Sequence, residues 1–244
     1  MMGIYIVIPA YNEEGRITKT LSDYGRLIGK VEGLRIIVVS ESTDGTDGIV
    51  RKHAERHKEI SLIPGKTKRG KGGAVMDGVK MALKGAKGSD IIGFIDADDA
   101  VTSSQFMRLV RAIRGYDCVI GSRYLDGSRI VGRITARRFI ASRVYNALVR
   151  LLFGMHYRDT QCGAKIFRAD ALRGIVRRIE VDGLGFDVNM LYELELQGRR
   201  IREYPIEYFV KNTGRSVTVG QVLKMFVSTI WYRMDRGGRR WISK

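Results

Sequence analysis

"DIIGFIDADDA" (90–100) runs an apolar segment into three carboxylates, at 96, 98 and 99. Four of the five residues of "DIIGF" are apolar or glycine, the pattern of a buried strand. Carboxylates this close repel one another unless solvent screens them or a cation sits between them. The segment therefore reads either as an ordinary turn or as a divalent-metal site at a strand end. Alternate side chains of an extended chain share a face, so Asp96 and Asp98 lie on one side and Ala97 points away.

Outward from this stretch, short apolar runs alternate with longer amphipathic ones. "IYIVIP" (4–9), "LRIIVVS" (34–40), "ISLIP" (60–64) and "DCVIGSR" (117–123) are strand-like, with helical patterns over 13–29, after "STDGT", over 72–85 and over 102–114. Such alternation predicts an α/β fold with a mostly parallel sheet and helices on both faces. Ligands of these sheets bind beyond the carboxyl ends of the strands. Tyr11, Glu13, Glu41, Asp96 and Asp98 all fall just past those ends. After 123 the pattern loosens into a long amphipathic helix over 134–154, strand-like "AKIFR" and "RIREYPIEYF", and a second amphipathic helix over 219–235. The expected organisation is one compact unit over 1–216 followed by a basic helix and tail over 217–244.

The formal net charge is +17, and it is unevenly spread. Residues 1–122 hold 19 Lys+Arg against 15 Asp+Glu, whereas residues 123–244 hold 24 against 11. This basic surplus fits either a polyanionic partner or a generally basic surface. Cys118 and Cys162 lack metal-type spacing and read as idle thiols in a reducing compartment. "MMGIYIVIPAYN" has no basic leader and reads as a first strand. No charge-free apolar run approaches the ~20 residues of a spanning helix. "GKTKRGKG" (65–72) nearly matches a phosphate-cradling loop but has Gly72 where Ser or Thr should ligate Mg²⁺; it reads better as a flexible basic loop near a diphosphate. His53 and His57 lack the glutamate of a metalloprotease helix and read as a solvated face.

"IVIPAYNEE", "STDGT", "RGKGGAV", "FIDADDA", "GSRY", "RRFIASRVYN" and "DTQCGAKIF" occur in an order that resembles the inverting family 2 glycosyltransferases, with the dolichyl-phosphate mannose and glucose synthases most alike. The resemblance spans about residues 4–216 and implies a GT-A fold, Rossmann-like in its sheet, a nucleotide-sugar donor (GDP-mannose or UDP-glucose), and Mg²⁺ or Mn²⁺. It makes Asp98 the direct metal ligand, with Asp96 beside it as a second-shell or ribose-side partner and Asp99 a solvated neighbour. It places Pro9, Ala10, Tyr11, Glu13, Glu41, Lys71 and Ala97 around the donor. Two departures stand out: Ala100 replaces the Gln of many mannose synthases, and Ser40-Glu41 replaces the usual Asp-Asp-Gly.

Residues 123–158 carry eight arginines and one acid, Asp126. Arg123, Arg138 and Ser142 match positions that hold the acceptor phosphate in the resembled synthases, with Lys211 and Arg215 as a looser match later on. Arg129, Arg133, Arg143 and Arg150 read as a solvated helix face. A phosphate acceptor is already anionic at neutral pH (second pKa ~6) and requires no general base. A hydroxyl acceptor would require one, and Asp159 and Asp187 are the candidates, although helix capping and loop bracing account for them as well. The partners expected are thus a nucleotide-sugar, a polyprenyl phosphate and the cytoplasmic face of a membrane, to which the protein binds peripherally, alone or through a separate membrane-spanning partner; no nucleic acid is expected. The alternatives are a glycosyltransferase acting on a sugar hydroxyl, or a basic membrane- or nucleic-acid-binding protein without catalysis.

Overall fold

The computed structural model describes residues 2–64, 70–179, 185–211 and 219–242, with all side chains in those ranges except at 138, 219, 221–224 and 236–242. Seven strands form the main sheet: β1 (Ile4–Ala10), β2 (Leu34–Ser40), β3 (Ile60–Pro64), β4 (Ile91–Phe94), β5 (Cys118–Ser122), β7 (Lys165–Arg168) and β8 (Ile201–Pro205). Their order is β3-β2-β1-β4-β7-β5-β8. All neighbours are parallel except β7, which runs antiparallel to both β4 and β5. A small second sheet pairs β6 (Arg129–Val131) with β9 (Glu207–Phe209).

The central strands are apolar throughout because each is covered on both faces. Ile6, Ile8, Ile36 and Val38 enter one core layer with Ile17, Leu21 and Tyr24 of α1 (Ile17–Gly25), Val50 of α2 (Thr46–Arg56) and Phe106 of α4 (Ser103–Ala112). Val7, Ile37 and Val39 enter the other. That layer is built by α3 (Gly70–Gly85), α5 (Ala136–Phe153), α6 (Ala169–Ile175) and α7 (Phe186–Leu196). The period-2 split of each strand is the direct consequence of the pleat.

The chain steps outward from β1 to β3 and then returns to β4 on the other side of β1, so a crevice opens between the carboxyl ends of β1 and β4. Antiparallel β7 begins at this same edge, with Lys165 opposite Phe94. The last helix, α8 (Val219–Ile242), packs on α5 and α7. Its docking is polar as well as apolar: Tyr145 and Thr229 hydroxyls lie 2.9 Å apart, Tyr232 donates to Glu193 Oε1 at 2.8 Å, and Arg233 Nε donates to the Leu152 carbonyl at 2.8 Å.

Several boundaries differ from expectation. "RIREYPIEYF" is two strands in two sheets, divided at Ile206, whose N–H donates to the Ser122 carbonyl. The helix expected over 13–29 is regular only from Ile17 to Gly25: ahead of it Asn12 turns left-handed (φ 53°) and bonds to the loop after β2, and beyond it the chain continues in turns. The α7 helix was masked in the sequence by its even apolarity; Phe186, Val188, Met190, Leu191 and Leu194 are all buried, so no amphipathic stripe marks it.

Candidate active site

The loops after β1 and β2 are clipped together at the sheet's carboxyl edge. Asn12 N–H donates to Ser42 Oγ (2.8 Å), Thr43 N–H to Asn12 Oδ1 (2.7 Å) and Glu13 N–H to Thr46 Oγ1 (2.8 Å). Glu41 N–H donates to the Ala10 carbonyl at 3.2 Å. Pro9, Ala10, Tyr11, Glu13 and Glu41 therefore share one rim, where Glu13 pairs with Arg16 and Tyr11 is 45% exposed. The "STDGT" motif is the clip, which explains its length: each of Ser42, Thr43, Asp44 and Thr46 holds a group of the β1 loop.

At the end of β4 the alternation holds. Ala97 sits in the core and its carbonyl accepts from Thr20 Oγ1 at 2.8 Å, whereas Asp96 and Asp98 are half-buried. Lys71 Nζ lies 2.5 Å from Asp96 Oδ1. Burial alone would lower the Lys71 pKa, but Asp96, with Asp187 and Asp98 behind it, raises it, so the ammonium stays charged. Asp98 accepts the Ala100 N–H at 3.0 Å, yet burial and then the Asp96 charge push its carboxyl above the usual range. This is a site with surplus negative charge. Its oxygen-only donors suit a hard divalent cation such as Mg²⁺ or Mn²⁺, whose remaining positions phosphate oxygens and water can fill. Among the described residues no three His, Cys, Asp or Glu side chains gather around one point, as they would in a closed all-protein cage.

Asp99 is not a solvated neighbour. It is 5% exposed, adopts φ 57°, and its Oδ2 holds Lys19 at 2.8 Å and Lys211 at 3.2 Å. Its left-handed backbone turns the side chain inward from the strand direction, where two lysines offset the desolvation. Lys211 is thus a carboxylate partner in this structure.

The end of β5 meets the "DTQCG" loop. Arg123 closes on Asp159 through Nε to Oδ2 (2.7 Å), a terminal nitrogen to Oδ1 (2.8 Å) and its backbone N–H to Oδ2 (2.9 Å). Burial works against the Arg123 charge, but Asp159 outweighs it and holds the guanidinium protonated. Glu203 of β8 accepts the Arg158 and Asp159 N–H groups, each at 2.9 Å. Asn146 of α5 accepts from Thr160 N–H at 3.0 Å and donates to the Ser142 carbonyl at 3.0 Å, tying "RVYN" to "DTQ". Tyr124 and Ser142 hydroxyls lie 3.2 Å apart. Arg123, Tyr124 and Ser142 are therefore brought together. The Arg138 side chain, and Arg215 entirely, lie outside the described residues.

Neither candidate base is open. Asp159 is 0% exposed and Asp187 2%. Asp187 Oδ1 lies 2.5 Å from the fully buried Lys165 Nζ, which also donates to the Cys162 carbonyl at 2.6 Å. Burial raises the Asp187 carboxyl, and Lys165 opposes the rise. Both cysteines are buried and free, and burial pushes the Cys162 thiol up to about 12. Lys165, Gly163 and Tyr124 carry no individual role in the sequence reading, and Arg143 reads there as part of a solvated helix face. The first two lie inside "DTQCGAKIF", and the motif's unbroken length was the available signal.

Together, this strand order and the paired carboxylates at its crevice define a GT-A-type glycosyltransferase. The chain belongs to glycosyl transferase family 2, whose profile matches residues 5–176. It is 34% identical over 224 residues to an undecaprenyl-phosphate mannosyltransferase of Micrococcus luteus, covering 91% of this chain and 90% of that protein. It is 31% identical over 207 residues to the dolichyl-phosphate beta-glucosyltransferase of Drosophila melanogaster, covering 78% of this chain but only 62% of the fly protein. Among solved structures, glucosyl-3-phosphoglycerate synthase from Mycobacterium tuberculosis, in complex with Mn²⁺, UDP and phosphoglyceric acid, shares the fold with a TM-score of 0.68 at 18% identity, over 95% of this chain and 78% of that one.

Proposed function

We propose that this glycosyltransferase moves a hexose, with inversion, from a nucleotide-sugar (GDP-mannose or UDP-glucose) to a polyprenyl phosphate. The observation that carries this reading is the burial of Asp159 and Asp187, each in an ion pair with a buried cation. A hydroxyl acceptor requires an accessible base, whereas a phosphate acceptor requires only positioning. The polyprenyl-phosphate acceptors named for the Micrococcus and Drosophila relatives support the same choice.

On this reading the rim of Pro9, Ala10, Tyr11, Glu13 and Glu41 takes the donor's base and ribose, and Tyr11 offers a stacking face. Lys71 shifts from Asp96 toward the diphosphate, exchanging one anion for another. Asp98 would be the direct protein ligand of Mg²⁺ or Mn²⁺ with Asp96 beside it, and the bound ion would neutralise charge on the leaving diphosphate. Arg123, Ser142 and Arg138 hold the acceptor phosphate. One of its oxygens bonds to the anomeric carbon from the face opposite the diphosphate. The bond from that carbon to the diphosphate oxygen breaks, and the nucleoside diphosphate leaves with the electron pair. Gathering both substrates in this geometry supplies much of the rate.

The acceptor's lipid requires a membrane surface. No helix among the described residues is long and apolar enough to cross one. α5 exposes Phe139, Ile140, Val144 and Leu151, and α8 exposes Val227, Ile230, Trp231 and Met234. These stripes lie on helices that pack together, and α5 carries arginines but no acid. We assign them to peripheral attachment at the face that supplies nucleotide-sugar, directly or through a membrane-spanning partner.

The test is an assay of purified protein against a panel of nucleotide-sugars, with polyprenyl phosphates and with 3-phosphoglycerate and free sugars as acceptors, with and without chelator. Formation of a hexosyl phosphate lipid, abolished by chelator, is the expected result. Transfer to a hydroxyl acceptor alone would overturn the proposal.

A further inference from the structure

Arg143 and Arg123 flank one tyrosine at the end of β5, and only one of the two arginines has its charge cancelled. Arg143 Cζ stands 4.8 Å from the Tyr124 ring centroid and Arg123 Cζ 5.2 Å. Arg123 gives Asp159 three hydrogen bonds, so that pair adds almost no net charge to its surroundings. Lys211 shares the Asp99 carboxylate with Lys19. Arg143 instead donates one long bond, 3.4 Å, to the neutral Arg158 carbonyl, and among the described residues no carboxylate pairs with it. A guanidinium that stands over an aromatic face on a half-buried residue, with its donors scarcely used and open to solvent, is well placed to receive an anion.

We propose that Arg143, steadied by Tyr124, supplies an uncompensated positive charge to the acceptor's phosphate, in addition to the groups named above. The inference rests on the polyprenyl-phosphate reading above and adds a residue to it. A phosphate monoester carries between one and two negative charges at neutral pH. The Arg123–Asp159 pair can orient such a group through hydrogen bonds but balances little of its charge. Arg143 follows Ser142 in α5, and the Ser142 hydroxyl meets the Tyr124 hydroxyl at 3.2 Å, so one tyrosine fixes both. The same ring meets Phe139 edge-on at 6.1 Å. Phe139 belongs to the exposed apolar stripe of α5, which places the charge where a lipid's head and chain would part. Tyr124 is a positioning residue here, and Arg143 a binding one.

The experiment compares wild type, Arg143→Gln, Arg143→Lys, Tyr124→Phe and Tyr124→Leu, using a short-chain, water-soluble polyprenyl phosphate without vesicles and then a long-chain one in vesicles. Loss of a charge-assisted contact predicts that R143Q raises the acceptor KM about tenfold. R143K should recover part of this, Tyr124→Leu should resemble R143Q, and Tyr124→Phe, which keeps the ring, should be milder. Donor affinity by calorimetry and melting temperature should stay near wild type in R143Q. An unchanged acceptor KM in R143Q overturns the inference while leaving the acceptor class intact. So does a defect confined to vesicles, which would make Arg143 a contact to the membrane surface. A wild-type enzyme that uses no polyprenyl phosphate overturns both readings together.

Discussion

Gly163 and Asp96 approach so closely that a Cβ on the glycine would lie 2.0 Å from Asp96 Oδ2. The contact exists because β7 runs antiparallel beside β4, carrying the "DTQCG" loop back to the crevice where the "DADD" carboxylates emerge. The glycine lets a backbone pass against a charged side chain that is also bound by Lys71.

Gly163→Ala should therefore fold but displace the Asp96 carboxylate and weaken the Lys71 contact. The expected result is a modest loss of melting temperature and a loss of turnover of roughly 10-fold or more, as small misplacements of reacting groups produce. Circular dichroism melts and steady-state kinetics with saturating acceptor separate the two. Wild-type turnover in this variant would show that Asp96 is not held in a productive position.

Asp98→Asn should lower turnover by about 10²-fold or more, since an ion that neutralises the leaving diphosphate is worth several kcal/mol. The pH dependence follows from the raised Asp98 carboxyl. A folded-state pKa above the unfolded value contributes stability below the unfolded pKa, and that stability is lost as pH rises through the folded pKa. A divalent ion binds the ionised form and reverses the loss. Added Mn²⁺ should thus raise the melting temperature more at neutral pH than in mild acid, and the increment should shrink in D98N. Scanning calorimetry in chelator and in Mn²⁺ reads this directly; an increment independent of pH and of residue 98 would place the ion elsewhere.

Arg123→Ala removes the partner of a fully buried carboxylate, which typically costs about 3–5 kcal/mol. It should therefore lower stability as well as acceptor use, unlike a variant of an exposed arginine. Asp159→Asn combined with Arg123→Ala should be less destabilised than the sum of the single variants. Urea melts of the four proteins in a double-mutant cycle give the coupling, expected at about 1–3 kcal/mol. Additive single effects would mean that the two side chains do not stabilise each other.

Leu151 is 82% exposed and Trp231 70%, on helices with cationic neighbours. Leu151→Glu and Trp231→Glu should leave turnover of a short soluble acceptor unchanged and release the protein from anionic vesicles in sedimentation. Each basic residue near such a surface contributes about 1 kcal/mol, so high salt should release wild type too. Vesicle binding indifferent to both substitutions and to salt would reserve the stripes for another protein.

The sequence by itself determined the sheet class and the rim of residues just past the strand ends. Strands buried on both faces must be apolar throughout, and the residues past their ends must face the crevice, so "IVIPAYNEE" and "FIDADDA" already located Tyr11, Glu13, Asp96 and Asp98. Alternation also put Ala97 in the core. What the sequence left open was pairing between residues far apart along the chain. Whether Asp159 and Asp187 could serve as bases depended on Arg123, 36 residues from Asp159, and on Lys165, 22 residues from Asp187. Asp99 looked solvated because its two lysines come from α1 and from beyond β9. Arg143 looked like one more arginine on a polar helix face until β5 set Tyr124 beneath it. A carboxylate's or guanidinium's role is fixed by burial and by the charge opposite it, and both arise only when the antiparallel β7 and helix α5 close over the end of the sheet.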